Sequence, residues 1–312
     1  MMKTFTRWSA LLALILLCAQ PGFAQNPPQG ALDALLHYYS AINLREYSRA
    51  YDLWASPSQN FYNFARGFED TRRVRVFFGA PQITTEAAVL GVPAVLLAQR
   101  TNQTQAAFVG CFAMRDTAAG WRIAAASFQQ LTFSIGTNGA PTPETIQSFT
   151  QVSCSAAGQP LTFLPVAGLT AASPNEGDKT LSAYFDAISD QNYAAAYAMW
   201  VESLLPDRSY RPPYASFSAG YTNTRAIAVY PGAYIPVAIV GLSGWQPVVL
   251  VGLETNGAIT AYSGCYGLRY IGDASTPLGV VDGRLTAFKV GMPSAQEISN
   301  ALAGASCAGV GS

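Results

Sequence analysis

Gly110-Cys111-Phe112-Ala113-Met114-Arg115 and Gly264-Cys265-Tyr266-Gly267-Leu268-Arg269 are one pattern written twice, 154 positions apart. A cysteine, an aromatic, an aliphatic and an arginine recur in step. Working outward, Tyr47, Tyr51 and Trp54 return as Tyr193, Tyr197 and Trp200 with identical spacing, and Leu35, Tyr39 and Ile42 return as Leu181, Phe185 and Ile188. Thr71, Arg72 and Gly79 return as Thr224, Arg225 and Gly232. Spacing kept over so many positions marks an internal duplication, and 312 residues suffice for two domains that each bury a core.

Within each copy the periodicity changes once. Leu32, Leu35, Leu36, Tyr39 and Ile42 fall at helical spacing and predict an amphipathic helix over 31–42, preceded by Asn26-Pro27-Pro28-Gln29-Gly30 as an unstructured lead. Tyr47, Tyr51 and Trp54 predict a second helix with three rings on one face, ended by Ser56-Pro57-Ser58, and Phe61, Phe64 and Phe68 a third, closed by Gly67. From 72 onward, β-branched and aromatic runs at 72–78, 88–99, 106–115 and 121–133 predict successive strands. Strand alternation puts Phe108, Gly110, Phe112 and Met114 on the core face and Val109, Cys111, Ala113 and Arg115 on the other. A short helix through Ile146 and Phe149 then returns Cys154 to the sheet, and 293–303 predicts its counterpart before Cys307. The segment 155–175 has linker composition, although Leu161-Thr162-Phe163-Leu164 is apolar enough to dock on a domain. Uncharged 226–253 contains Pro231, Pro236 and Pro247 and reads as buried strands rather than a membrane span.

The first residues have the form of an export signal. Lys3 and Arg7 precede an apolar run from Trp8 to Cys18, and Gly22-Phe23-Ala24 suits cleavage before Gln25. Leu17 is bulky where lipoprotein processing at Cys18 wants a small residue, which argues against a lipid anchor. Losing two of 18 cations leaves 16 against 18 acidic residues, a net charge of −2, without a basic run; nucleic-acid and anionic-membrane binding lack their electrostatic footprint. Charged residues make up only 12% of the chain, against roughly 25% in ordinary soluble domains.

Four cysteines remain after the leader and allow three pairings. Cys111 and Cys154 stand 43 positions apart and Cys265 and Cys307 stand 42 apart, so the repeat favours one bridge within each copy. Neither pair has the short spacing of a zinc or redox site, and with His37 the only histidine, neither a metal site nor a cofactor is expected.

Three helices before a curved, mixed, mostly antiparallel sheet, with the Tyr-x-x-x-Tyr-x-x-Trp helix and Gly120-Trp121-Arg122-Ile123 on a strand, resemble the NTF2-like (SnoaL-like) superfamily of cone-shaped α+β domains. The resemblance covers about 28–154 and 176–308. With the signal peptide over 1–24 and the linker 155–175 set apart, the domains fall at 25–154 and 176–312, and the resemblance implies a pocket between the helices and the sheet of each. Members often pair through their sheets, so the halves are expected to form an intramolecular pseudo-dimer. The superfamily includes isomerases, dehydratases and many non-catalytic domains, so fold carries little information about activity.

An enzyme of this type needs a poised acid or base. Asp33, His37 and Asp52 are the candidates, but their counterparts Lys179, Ala183 and Ala198 carry no acid. Candidate ligand contacts are the aromatic faces with Tyr51 and Trp54, or Tyr197 and Trp200, and the repeated Arg72 and Arg225; Arg115 and Arg269 also recur. The expectation is a periplasmic or secreted, non-enzymatic binder of a small apolar ligand, peptide or envelope partner. The alternatives are an isomerase or dehydratase acting in the first copy, and an assembly module whose pockets its own aromatics fill.

Overall fold

Proline opens the first helix instead of preceding it. In the computed structural model, which describes residues 27–131, 140–141, 143–161, 171–172, 175–201, 211–239, 242–271 and 277–307, α1 runs Pro27–Asn43. The expected unstructured lead at 27–30 is therefore helical, because a first-turn residue has no intrahelical use for the amide hydrogen that proline lacks. The expected leader at 1–24, including Cys18, lies outside the described residues.

α2 (Tyr47–Tyr51) and α3 (Phe61–Arg66) follow, α3 capped by Asn60, whose side chain accepts from Asn63 N. Trp54 lies beyond the end of α2, where it forms a single parallel bridge to Ile123; the expected three-ring helical face is thus split. Tyr47 stacks on Phe68, Tyr51 meets Phe61 and Phe64, and Trp54 lies 6.3 Å from Tyr38 between ring centroids.

The strands are β1 (Thr71–Phe78), β2 (Gln82–Ile83), β3 (Val89–Arg100), β4 (Gln105–Thr117) and β5 (Gly120–Leu131). They form one sheet in the order β1-β3-β4-β5, with β2 also on β3. β6 (Ala140–Pro141) and α4 (Pro143–Phe149) complete the first half, and β7 (Ala171–Ala172) pairs with β6. The second half repeats the plan: α5 (Glu176–Ser189), α6 (Tyr193–Ala198), α7 (Tyr214–Ala219), then β8 (Thr224–Pro231), β9 (Ile235–Ile239), β10 (Leu242–Glu254), β11 (Ile259–Tyr270), β12 (Leu278–Val290) and α8 (Ala295–Gly304). Its sheet runs β12-β11-β10-β8, with β9 on β10. All ladders among the described residues are antiparallel, and parallel pairing is confined to the isolated bridges Trp54–Ile123 and Trp200–Val280. The expected mixed sheet is thus antiparallel apart from those two contacts.

The opening motif occupies β4 and β11. Its glycine is required sterically: a Cβ at Gly110 would sit 1.9 Å from Ser127 O, and one at Gly264 would sit 1.9 Å from Arg284 O. Its cysteine is bridged within each half, Cys111 to Cys154 and Cys265 to Cys307, with Cα separations of 5.8 and 5.7 Å. Both bridges are buried and are compatible with an oxidising compartment. Part of the expected linker also packs on the first half: Cys154 pairs with Pro160, and Ser127 Oγ donates to Gln159 Oε1 at 3.1 Å. Leu161 is exposed, while 162–164, the rest of the segment expected to dock, lie outside the described residues. No helix among the described residues is long and apolar enough to cross a membrane, and 226–253 contributes β8, β9 and β10.

Both faces of β4 are buried, not only the one that alternation assigned to the core. Phe112 and Met114 point to one side, yet Val109, Cys111 and Ala113 are fully buried on the other. The reason is the second half: Val109 and Val95 belong to one apolar cluster with Val249, Val251, Ala261 and Met292. Phe77 and Tyr230, equivalent positions of the repeat, meet edge to face with centroids 5.0 Å apart, and Tyr230 Oη donates to Val76 O at 2.8 Å. α4 meets α8 through Gln147 and Gln296. Around this apolar contact lie ion pairs that the duplication does not repeat: Arg73 with Asp186, Arg75 with Asp178 at 3.3 Å, and Arg225 with Glu46.

Mass analysis of non-reduced peptides should therefore recover one bridge per half and no Cys111–Cys265 link, and changing Cys111 and Cys154 together to alanine should lower the unfolding free energy by about 2–4 kcal/mol. Tyr230→Phe, which leaves the buried Val76 carbonyl without this donor, should cost about 1–2 kcal/mol in the same denaturant titration.

Candidate functional site

Aromatic residues supplied by α1, the segments after α2 and α3, and the strands β4 and β5 leave space between them in the first half. The resulting cavity, about 480 Å3, is lined by Tyr38, Tyr39, Trp54, Phe68, Phe108 and Phe112, with Phe128 beyond them. Burial holds Tyr39 fully protonated by raising its hydroxyl well above the ordinary tyrosine range, so this wall offers ring surface and not charge. The two charged lining residues, Asp70 and Arg100, are exposed. The second half has a smaller counterpart of about 290 Å3, where Phe185, Tyr221, Tyr262 and Tyr266 take the places of Tyr39, Phe68, Phe108 and Phe112.

A separate cleft of about 480 Å3 opens along another face of α1 and gathers the three candidate catalytic residues, Asp33, His37 and Asp52, with Arg49, Trp121 and Arg122. Their roles differ. Asp33 is buried, and its Oδ1 accepts from Met292 N and from Gln29 Nε2, both at 2.8 Å, so it ties α1 to the second half. His37 is half-buried, with the Gly257 backbone of the second half beside it. Desolvation lowers the His37 pKa, and Arg225 lowers it further, while Asp33 and the Gly257 backbone hydrogen bond raise it. Asp52 is exposed. Arg49 pairs with Glu46 at 2.6 Å, and Arg122 Nη1 donates to Trp121 O at 3.0 Å.

No family model, no curated protein and no solved structure matches this chain.

Of the six residues singled out as ligand contacts, Trp54 lines the first cavity. The remaining five have other attachments or positions. Tyr51 Oη donates to Gln59 O at 2.8 Å, and Arg72 is exposed on β1. Tyr197 Oη donates to Pro212 O at 2.8 Å, with the Arg211 guanidinium 3.8 Å over its ring. Trp200 Nε1 donates to Tyr184 Oη at 3.0 Å, and Arg225 pairs with Glu46. Arg115 pairs with Glu86 on the surface. Sequence reasoning missed Phe108, Phe112 and Arg100 as cavity residues. Alternation puts Phe108 and Phe112 on the core face, and that is the available signal.

The lowered His37 pKa fixes a pH dependence. The folded state favours neutral imidazole, so the unfolded chain binds the proton more readily and stability falls as pH drops below about 6.5, the ordinary histidine value. Melting temperatures at pH 7.5 and 5.5 should show a smaller acid loss for His37→Gln than for the wild type.

Proposed function

We propose that this chain is an exported, periplasmic or secreted protein of two NTF2-like (SnoaL-like) domains, paired as an intramolecular pseudo-dimer, that binds a small apolar ligand without transforming it. The observation carrying this reading is the aromatic cavity of the first half. Its volume falls within the range usual for small-molecule sites, and its charged residues sit only where solvent reaches them. The domain type is supported by the order of three helices, a sheet and a disulfide-anchored final helix, found twice. Pairing is supported by Phe77 and Tyr230: in an isologous contact, equivalent residues meet each other on the axis. Residual space in both cavities speaks for binding over a purely structural module with filled pockets.

An isomerase or dehydratase reading rests on the cleft that gathers Asp33, His37 and Asp52. The two hydrogen bonds that occupy Asp33 Oδ1 weigh against its service as a mobile base.

Native mass spectrometry of the oxidised chain should find a co-purifying small molecule, or uptake of the neutral fluorophore N-phenyl-1-naphthylamine. Ala98→Phe, which adds a ring to the first cavity, should weaken that uptake about tenfold or more. Uptake unchanged by this substitution, or no uptake at all, overturns the reading.

A further inference from the structure

The two cavities occupy equivalent places but differ in charge and polarity. β3 ends at Arg100, paired with Thr71; β10 ends at Glu254, paired with Thr224, so the repeat exchanges a guanidinium for a carboxylate at one lining position. Asp70, the acid beside Arg100 in the first cavity, is matched by Asn223. Among the described lining residues of the second cavity there is no Lys, Arg or His, and Glu254 has no ion-pair partner among the described residues.

Around that carboxylate the walls are aromatic. Phe68, Phe108 and Phe112 have become Tyr221, Tyr262 and Tyr266, with Phe185 completing the set. Burial raises the Tyr221 and Tyr266 hydroxyls, so they remain neutral. Tyr221 is also held in place: its hydroxyl lies 3.2 Å from Tyr184 Oη, which accepts from Trp200 Nε1, and its ring stacks on Tyr193. The position of the Tyr221 ring is thus set before a ligand arrives.

Gly252 keeps the space open. It replaces Ala98 within a central strand, where glycine weakens the strand and supplies no packing. Sterically it could be larger, since an added Cβ would meet Thr260 O at 3.8 Å and Tyr262 Cε2 at 4.0 Å, ordinary contacts. Neither a turn nor close backbone packing requires this glycine, and its missing side chain leaves volume at the cavity wall.

We propose that the second cavity binds a small hydrophobic organic cation, an aryl- or alkylammonium ion whose charge is met by Glu254 and the faces of the tyrosine rings. A cation gains from the negative faces of aromatic rings and from a carboxylate in a partly desolvated site, where an anion is repelled and a neutral ligand gains neither. This assignment rests on the reading that the halves bind small ligands, and adds the ligand's charge.

Saturation-transfer NMR titration of the oxidised full chain tests it with phenyltrimethylammonium, its neutral isostere tert-butylbenzene, and benzoate. The cation should bind about tenfold or more tightly than either comparator. Glu254→Gln should remove most of that preference while leaving tert-butylbenzene unchanged. Gly252→Val should abolish binding of the cation while the melting temperature stays at or above that of the wild type. Equal affinity for tert-butylbenzene, or a cation preference that survives Glu254→Gln, overturns the charge assignment and leaves small-ligand binding standing. Cation binding that survives Gly252→Val in a folded chain places it outside this cavity and also overturns the proposal. Absence of binding by all three probes overturns it for this cavity, and uptake of the neutral fluorophore by the first cavity then decides separately whether small-ligand binding falls too.

Discussion

A sheet that is apolar on both faces has to be covered twice, and this requirement governs the architecture. On one side, each sheet carries its helices and its cavity; on the other, Val95 and Val109 join Val249, Val251 and Ala261 in a cluster belonging to both halves. Phe77 and Tyr230, equivalent positions of the repeat, touch each other within this contact. Hydrophobic burial has no preferred partner, so the charged contacts at the margin supply direction: Arg73 and Arg75 reach α5, and Arg225 reaches Glu46. The disulfides act on the same faces, since Cys111 and Cys265 project there and anchor the segments that follow α4 and α8.

This arrangement places the contact between halves and the cavities on opposite faces of each sheet. The face shared between halves is mostly apolar, while the helix-facing side has diverged: Phe68, Phe108 and Phe112 become Tyr221, Tyr262 and Tyr266, Tyr39 becomes Phe185, and Arg100 becomes Glu254. Duplication followed by such exchange lets one chain keep a single buried interface and still present two cavities of different chemical character. The cleft at His37 belongs to the first half alone, lined by α1, the end of α2 and the start of β5, although Asp33 within it is tied to Met292 of the second half.

Much of this plan was legible because its signals are local. The strand expected at 72–78 is β1 at Thr71–Phe78, and that expected at 88–99 is β3 at Val89–Arg100; period-two alternation and β-branched content need no knowledge of the partner. The helix at 293–303 became α8 with a full capping box between Ser294 and Glu297. Local signals also misled. Pro27 and Pro28 look like a break to a reader who does not know that a helix starts there, and Trp54 keeps helical spacing from Tyr51 although the helix has already ended.

Taken alone, the sequence determined the duplication, the order of helices and strands within each copy, and the cysteine pairing, because repeat spacing and residue periodicity are properties of neighbouring positions. Tertiary structure decided what covers the cysteine-bearing faces, which commits Asp33 to Met292 and Arg225 to Glu46, and which residues line the cavities. Alternation states which side of a strand a residue faces but not what lies opposite. Partners more than 150 positions away, such as Val76 for Tyr230, meet only when two separately patterned surfaces are brought together.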